Sequence, residues 1–198
     1  MQRERFIKSL AEYGYNVYFG AKKHFATYDI VEKSPGWIGL ITLIIGIWQL
    51  GFPSFPYGQS LSVILVAASV CAIQISQYNA EKDYYMRAGT KLTRIHNELK
   101  EMYYRYKDNA DSTVSSEDEE KLTQLLNDYY EASITKQIAF SDWYAHYKFF
   151  YQAQYEWIDE QKRFTWKDKF PLSFRITVLV IIIVIVIVII LAKMLIWN

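Results

Sequence analysis

RITVLVIIIVIVIVIILAK, residues 175–193, is apolar without interruption from Val178 to Ala192 and is built almost wholly of Val and Ile. At 1.5 Å per residue, Arg175 and Lys193 would stand about 27 Å apart along a helix, close to the roughly 30 Å hydrocarbon core of a bilayer. Residues 171–198 are therefore expected to form a transmembrane helix. Two more apolar stretches, Gly36 to Phe52 and Leu61 to Gln77, are separated only by a short Pro- and Phe-rich connection. They read as a transmembrane hairpin over 36–77, with spans at about 36–52 and 60–77. A buried hairpin in a soluble protein is the competing reading, and the third apolar run argues against it. About 35 charged and aromatic residues precede the first stretch, with no small-residue cleavage site after it, so the N-terminus is expected to be retained.

A net charge of +1 and a mean hydropathy near zero conceal a division between apolar spans and a polar, aromatic remainder. Lys and Arg number six before Pro35, none from Gly51 to Ser60, and fourteen from Tyr78 to Pro171. The positive-inside rule then makes residues 1–35 and 78–170 cytoplasmic and the 51–60 loop external. Three spans place Asn198 outside. The single cysteine, Cys71, lies inside the second span. It allows no internal disulfide and no multi-cysteine metal site, and packing is its expected role.

Between Gly89 and Pro171 there is neither Gly nor Pro, which predicts long helices in place of strands. Tyr85, Ala88, Leu92, Ile95, Leu99, Met102 and Tyr106 follow a 3,4 spacing, the stripe of a helix continuing or closely following the second span. The polar cluster after Tyr106 predicts a turn near 108–116, and Ser116 with Glu119 has the spacing of a capping box. Leu122, Leu125, Leu126 and Tyr129 begin a returning face, and Phe140, Trp143, Tyr147, Phe150, Trp157 and Phe164 continue a helical spacing. The return path is longer than the outgoing helix, so either a break near Ser133 to Thr135 or an extension past the first helix is expected. The N-terminal segment supplies a third, amphipathic helix with Phe6, Leu10, Tyr13, Val17, Ala21, Phe25 and Tyr28 on one side, ending at Ser34 to Gly36. The fold class is thus an all-α membrane protein: N-terminal amphipathic helix, transmembrane hairpin, long cytoplasmic helical bundle and C-terminal transmembrane helix.

Small or polar residues form a stripe on each hairpin helix: Gly39, Thr42, Gly46 and Gln49 on the first, Ser62, Ser69 and Ser76 on the second, with Gln74 beside it. Such stripes line pores in oligomers or let paired helices approach within one chain, and both readings stand. No charged residue or His lies between Gly36 and Gln77, which removes the usual groups of ion-coupled transport and voltage sensing. Lys22, Lys23 and His24 on the first helix and Arg87, Lys91 and Arg94 on the third could receive an anionic ligand, a partner or lipid headgroups; a solvated charged face is the plainer alternative.

Eleven of the 27 residues from Phe140 to Trp166 are aromatic. Those before Trp157 read as bundle core, and those from Trp157 onward, with their lysines, as a membrane interface; direct nucleic-acid binding is not expected. The three histidines lack metal-ligand spacing, and no Gly-rich phosphate loop, nucleophile elbow or HExxH is present. No catalytic residue, cofactor or metal is expected.

YFGAKKHF (Tyr18–Phe25), a tight hairpin, then YNAEKDYYMRAGTKLTRIHNELK (Tyr78–Lys100) resemble the SLATT proteins of bacteria. In that family a KKxHF-like stretch precedes two transmembrane helices and an Arg-bearing, Leu-spaced helix follows, matched here by Lys22, Lys23, His24, Phe25, Arg87, Leu92 and Leu99. The resemblance covers about residues 10–107, and the added C-terminal span departs from the two-span minimum. It implies a membrane effector of antiphage defence that oligomerises to form a pore or otherwise disrupt the inner membrane, leading to abortive infection. The trigger would be a nucleotide or a sensor encoded nearby, such as a nucleotide second-messenger synthase or a reverse transcriptase. The rival reading is a membrane-anchored scaffold whose helical bundle recruits a soluble partner.

Overall fold

The computed structural model describes the backbone of residues 2–196 and the side chains up to Ile187 and at Ile190. Seven α-helices and no strand occur among the described residues. The first, α1, runs Arg3–Gly51 without interruption. The expected end at Ser34 to Gly36 is therefore corrected: Pro35 lies inside the helix. Proline removes one N–H, so the Val31 carbonyl loses its helical partner. The helix survives this loss because both flanking halves are held by packing, the first against α3 and the second against α2.

A connection over residues 52–57 closes through three backbone bonds, from Phe52 N–H to Trp48 O, Phe55 N–H to Phe52 O and Gly58 N–H to Phe55 O. The chain then returns along α2, Gly58–Ser76. Within α1 and in the helical rod that begins with α2 are two segments long and apolar enough to cross a membrane. Their side chains are largely exposed, Ile47 and Val66 by more than half. In water that would be a liability on this scale; for a hairpin meeting hydrocarbon it is the expected state.

A 3-10 turn, Asn79–Glu81, joins α2 to α3, Lys82–Asp108. All seven residues of the predicted α3 stripe, Tyr85 to Tyr106, are buried. They meet the facing stripe of α1, where Phe6, Leu10, Val17 and Ala21 are fully enclosed. Two glycines set the closeness of this packing. Gly14 admits the ring of Trp157, and Gly89 admits the ring of Phe25, with a Cβ on either standing within 3.0 Å of ring carbons.

The chain reverses before α4, Ser116–Ala132. The cap is Ser115, one residue earlier than the spacing of Ser116 and Glu119 predicts. Ser115 has extended backbone (φ −79°, ψ 155°), and its Oγ accepts the Asp118 N–H at 3.1 Å. The Ser115 hydroxyl in turn donates to the Asp118 carboxylate at 3.0 Å. Residues 133–140 then break the path, as expected, and it resumes as α5, Ser141–Gln152, and α6, Glu156–Lys162.

The continuous helical face proposed from Phe140 to Phe164 is not formed. Phe140 adopts a left-handed backbone (φ 65°) and is exposed, Tyr147 is half exposed, and the buried aromatics are Phe149, Phe150 and Trp157. Trp157, assigned to a membrane interface on composition, is instead 1% exposed in the bundle core. The last helix is α7, Leu172–Ile196, and no extensive packing joins it to the hairpin among the described residues. Trp143 of α5 ties its first turn, donating from Nε1 to Ser173 Oγ at 3.0 Å and meeting the Phe174 ring edge-on.

Candidate functional site

The polar stripes of the hairpin resolve into groups with different fates. Near the loop end, Gln49 donates from Nε2 to the Gly58 carbonyl at 2.8 Å and to Ser62 Oγ at 3.2 Å. Ser62 also returns its proton to Gly58 O at 3.0 Å. Gln49 and Ser62 thus staple the two helices together at the connection. Ser69 and Ser76 bond back to the carbonyls of Leu65 and Ala72, each at 2.9 Å, the usual way a serine satisfies itself within a helix. Thr42 Oγ1 is buried without a hydrogen-bond partner.

Gly39 and Gly46 behave differently: a Cβ at either would meet nothing within 4 Å. The two glycine positions of the α1 stripe are therefore not consumed by contact with α2. Gln74 is exposed and lines an apolar cleft of about 790 Å³ at the base of the hairpin, with Trp37, Ile41, Val70 and Phe140.

The proposed receiving surface is dispersed. Lys23 pairs with Asp142 of α5 at 2.8 Å, whereas Lys91 pairs with Asp128 of α4 at 3.1 Å. Lys22 lies over the Tyr18 ring at 4.5 Å, and Arg87 over Tyr84 at 4.9 Å. Arg94 is exposed. His24 is structural: its Nε2 accepts the Ile134 N–H at 3.0 Å, so Nδ1 carries the proton donated to Gly20 O at 2.7 Å. Burial pushes its pKa below the ordinary imidazole value, and Lys23 adds to that against the opposing pull of the Gly20 carbonyl. His24 is thus a neutral post holding the α4–α5 segment to α1.

That segment is itself a feature the sequence conceals. Thr27 donates to Gln137 Oε1, Gln137 donates to Ile134 O at 2.7 Å, and the Tyr85 hydroxyl donates to Lys136 O at 2.8 Å. Residues 133–140 are thereby strapped across α1 and α3 directly beneath the hairpin. Nearby, Asp29 takes bonds from Lys33 and Lys148, both at 2.6 Å. Burial alone would raise its carboxyl pKa; the two ammonium groups more than offset this and hold it below the usual range. The only advance signal for this strap was the break at Ser133 to Thr135.

The two sequence stretches that carry the family resemblance are partners in packing. Tyr18 stacks on His96 with ring centroids 3.9 Å apart, the Phe25 ring fills the space left by Gly89, and beyond the first stretch Glu32 pairs with Lys82. A search of curated proteins and one of solved structures found no similar chain. The family described as "SMODS and SLOG-associating 2TM effector domain 6" matches residues 1–178. That span takes in the hairpin, the whole bundle and the first turns of α7, so the contacts between α1 and α3 fall inside the family's own domain, and the chain belongs to the SLATT family of two-transmembrane effector domains.

Proposed function

We propose that this protein is an inner-membrane effector of bacterial antiphage defence that oligomerises and permeabilises the membrane after a signal reaches its cytoplasmic bundle. The N-terminus and residues 78–170 are cytoplasmic in this reading, and α7 is a third crossing. The observation that carries it is the open small-residue face of α1. Gly39 and Gly46 have no neighbour within 4 Å of a Cβ position, and in lipid such faces are where helix backbones from separate subunits approach. A cyclic arrangement follows from the common membrane normal. Because α1 passes unbroken from the bundle core into the hairpin, rearrangement of the bundle is transmitted to that face.

The test is membrane potential, read with a voltage-sensitive dye in cells expressing the full chain under phage challenge. Depolarisation by the wild type, lost in Gly39→Ile/Gly46→Ile and in Gln74→Leu at equal membrane abundance, supports the reading. A steady potential under challenge, with protein present in the membrane, removes it. The scaffold reading is favoured by one specific observation, the internal satisfaction of Gln49, Ser62, Ser69 and Ser76, which leaves Gln74 as the exposed polar group among the stripe residues and Thr42 Oγ1 buried. A scaffold would keep the potential steady while still retaining a soluble partner.

A further inference from the structure

Where α7 leaves the bundle, residues of α1 and α5, the end of α6, residues 163–171 and the first turn of α7 line an open cleft of about 580 Å³. Lys162, Lys167 and Arg175 line it, and none of the three is ion-paired with a carboxylate among the described residues. Both carboxylates of the cleft are already engaged. Asp142 holds Lys23 at 2.8 Å, and Asp168 accepts the N–H and the hydroxyl of Thr165 at 2.8 and 2.7 Å. Three cations against the one charge of Asp168 leave two positive charges in excess.

Arg175 Nε is buried and has no hydrogen-bond partner. An unmet buried donor on a charged group is costly, and a guanidinium fork matches the paired oxygens of a phosphate. Leu172 and Ser173, in the first turn of α7, also line the cleft, and the N–H groups of a first turn lack intrahelical acceptors. A helix of 25 residues adds the positive end of its dipole there. Cations, an unsatisfied guanidinium donor and a helix N-terminus therefore converge from three separate elements.

We propose that this cleft binds a phosphate group, bridging Lys162 and Lys167 on the bundle side to Arg175 on α7 and so fixing the orientation of α7. The phosphate is carried either by a lipid headgroup, since the cleft lies at the start of an apolar helix, or by a free phosphorylated compound. The binding does not depend on pore formation, so its failure and that of the effector reading are separable.

The experiment is calorimetric titration of the full chain in maltoside micelles, which contain no phosphate. One arm adds AMP or inorganic pyrophosphate; the other dopes the micelles with short-chain phosphatidylglycerol. Saturable binding is expected in one arm, weakened at least tenfold by Arg175→Gln and by Lys162→Gln/Lys167→Gln, retained in part by Arg175→Lys, and unchanged by Lys169→Gln outside the cleft. Binding of the soluble probes assigns a free phosphate, and binding of phosphatidylglycerol alone assigns a headgroup. The proposal is overturned if wild type with a native near-UV spectrum binds in neither arm. It is equally overturned if Arg175→Gln binds as wild type does, or if Lys169→Gln loses as much as the cleft variants.

Discussion

At Gly14 a methyl group would overlap Cη2 of Trp157, whose ring is fully buried against His96 and Tyr103. Nothing around that ring yields cheaply. Gly14→Ala should therefore destabilise the bundle by about 1–3 kcal/mol despite the better helix propensity of Ala, measured as a lower unfolding midpoint in micelles. Gly39→Ala, with no atom to meet, should not lower that midpoint and, through the helix propensity of Ala, should raise it slightly. His96 makes a second residue-level prediction. Burial lowers its pKa from 6.5 to about 4, with the Gly14 carbonyl opposing and Lys100 and Lys22 assisting. The folded state thus binds fewer protons than the unfolded chain between these values. Stability is whole above about pH 6.5 and falls as the pH drops toward 4, by about 1.4 kcal/mol per unit at the steepest. His24 and His146, also lowered chiefly by burial, add to the same slope. Thermal unfolding across that range should show the fall, and His96→Phe, which keeps a ring on Tyr18, should flatten it.

The cap of α4 distinguishes two adjacent serines. Ser115→Ala removes the acceptor for Asp118 N–H and should cost about 1 kcal/mol, whereas Ser116→Ala should cost little. Urea titration of both variants decides between them. The strap over residues 133–140 gives another contrast: Thr27→Val leaves Gln137 Oε1 without its donor, an expected loss of about 1–2 kcal/mol with faster amide exchange confined to that segment. These cases also mark what the sequence could say. The α3 stripe was legible because seven residues repeat at helical spacing and one buried face is the only use for them. The length of α1 was not, since Pro35 reads as a stop until packing on both sides is known. The aromatic run after Phe140 fitted a helical period, but the period carries no sign of the left-handed backbone at Phe140 that turns the chain. Among site residues, the polar stripes were visible, yet pairing of Gln49 with Ser62 depends on the geometry of the loop between them. The basic residues were visible as charges; their division between Asp128 and Asp142 was fixed only by where α4 and α5 lie.

For the molecule as a whole, charge asymmetry predicts orientation, and a single thiol makes that measurable. In a Cys71→Ser background, Ser54→Cys in the hairpin connection should react with a membrane-impermeant maleimide on intact spheroplasts, and Ser112→Cys should react only after lysis. The opposite pattern would invert the topology. The family match ends at residue 178, inside α7, which accords with a two-span domain to which this chain adds further apolar helix. Mechanically, the unbroken α1 is a lever. Taking Pro35 as the fulcrum, the arm packed in the bundle is about 48 Å long and the arm in the hairpin about 24 Å. In the proposed effector, a push near Phe6 would arrive near Leu50 reversed in direction, with about half the travel and about twice the thrust.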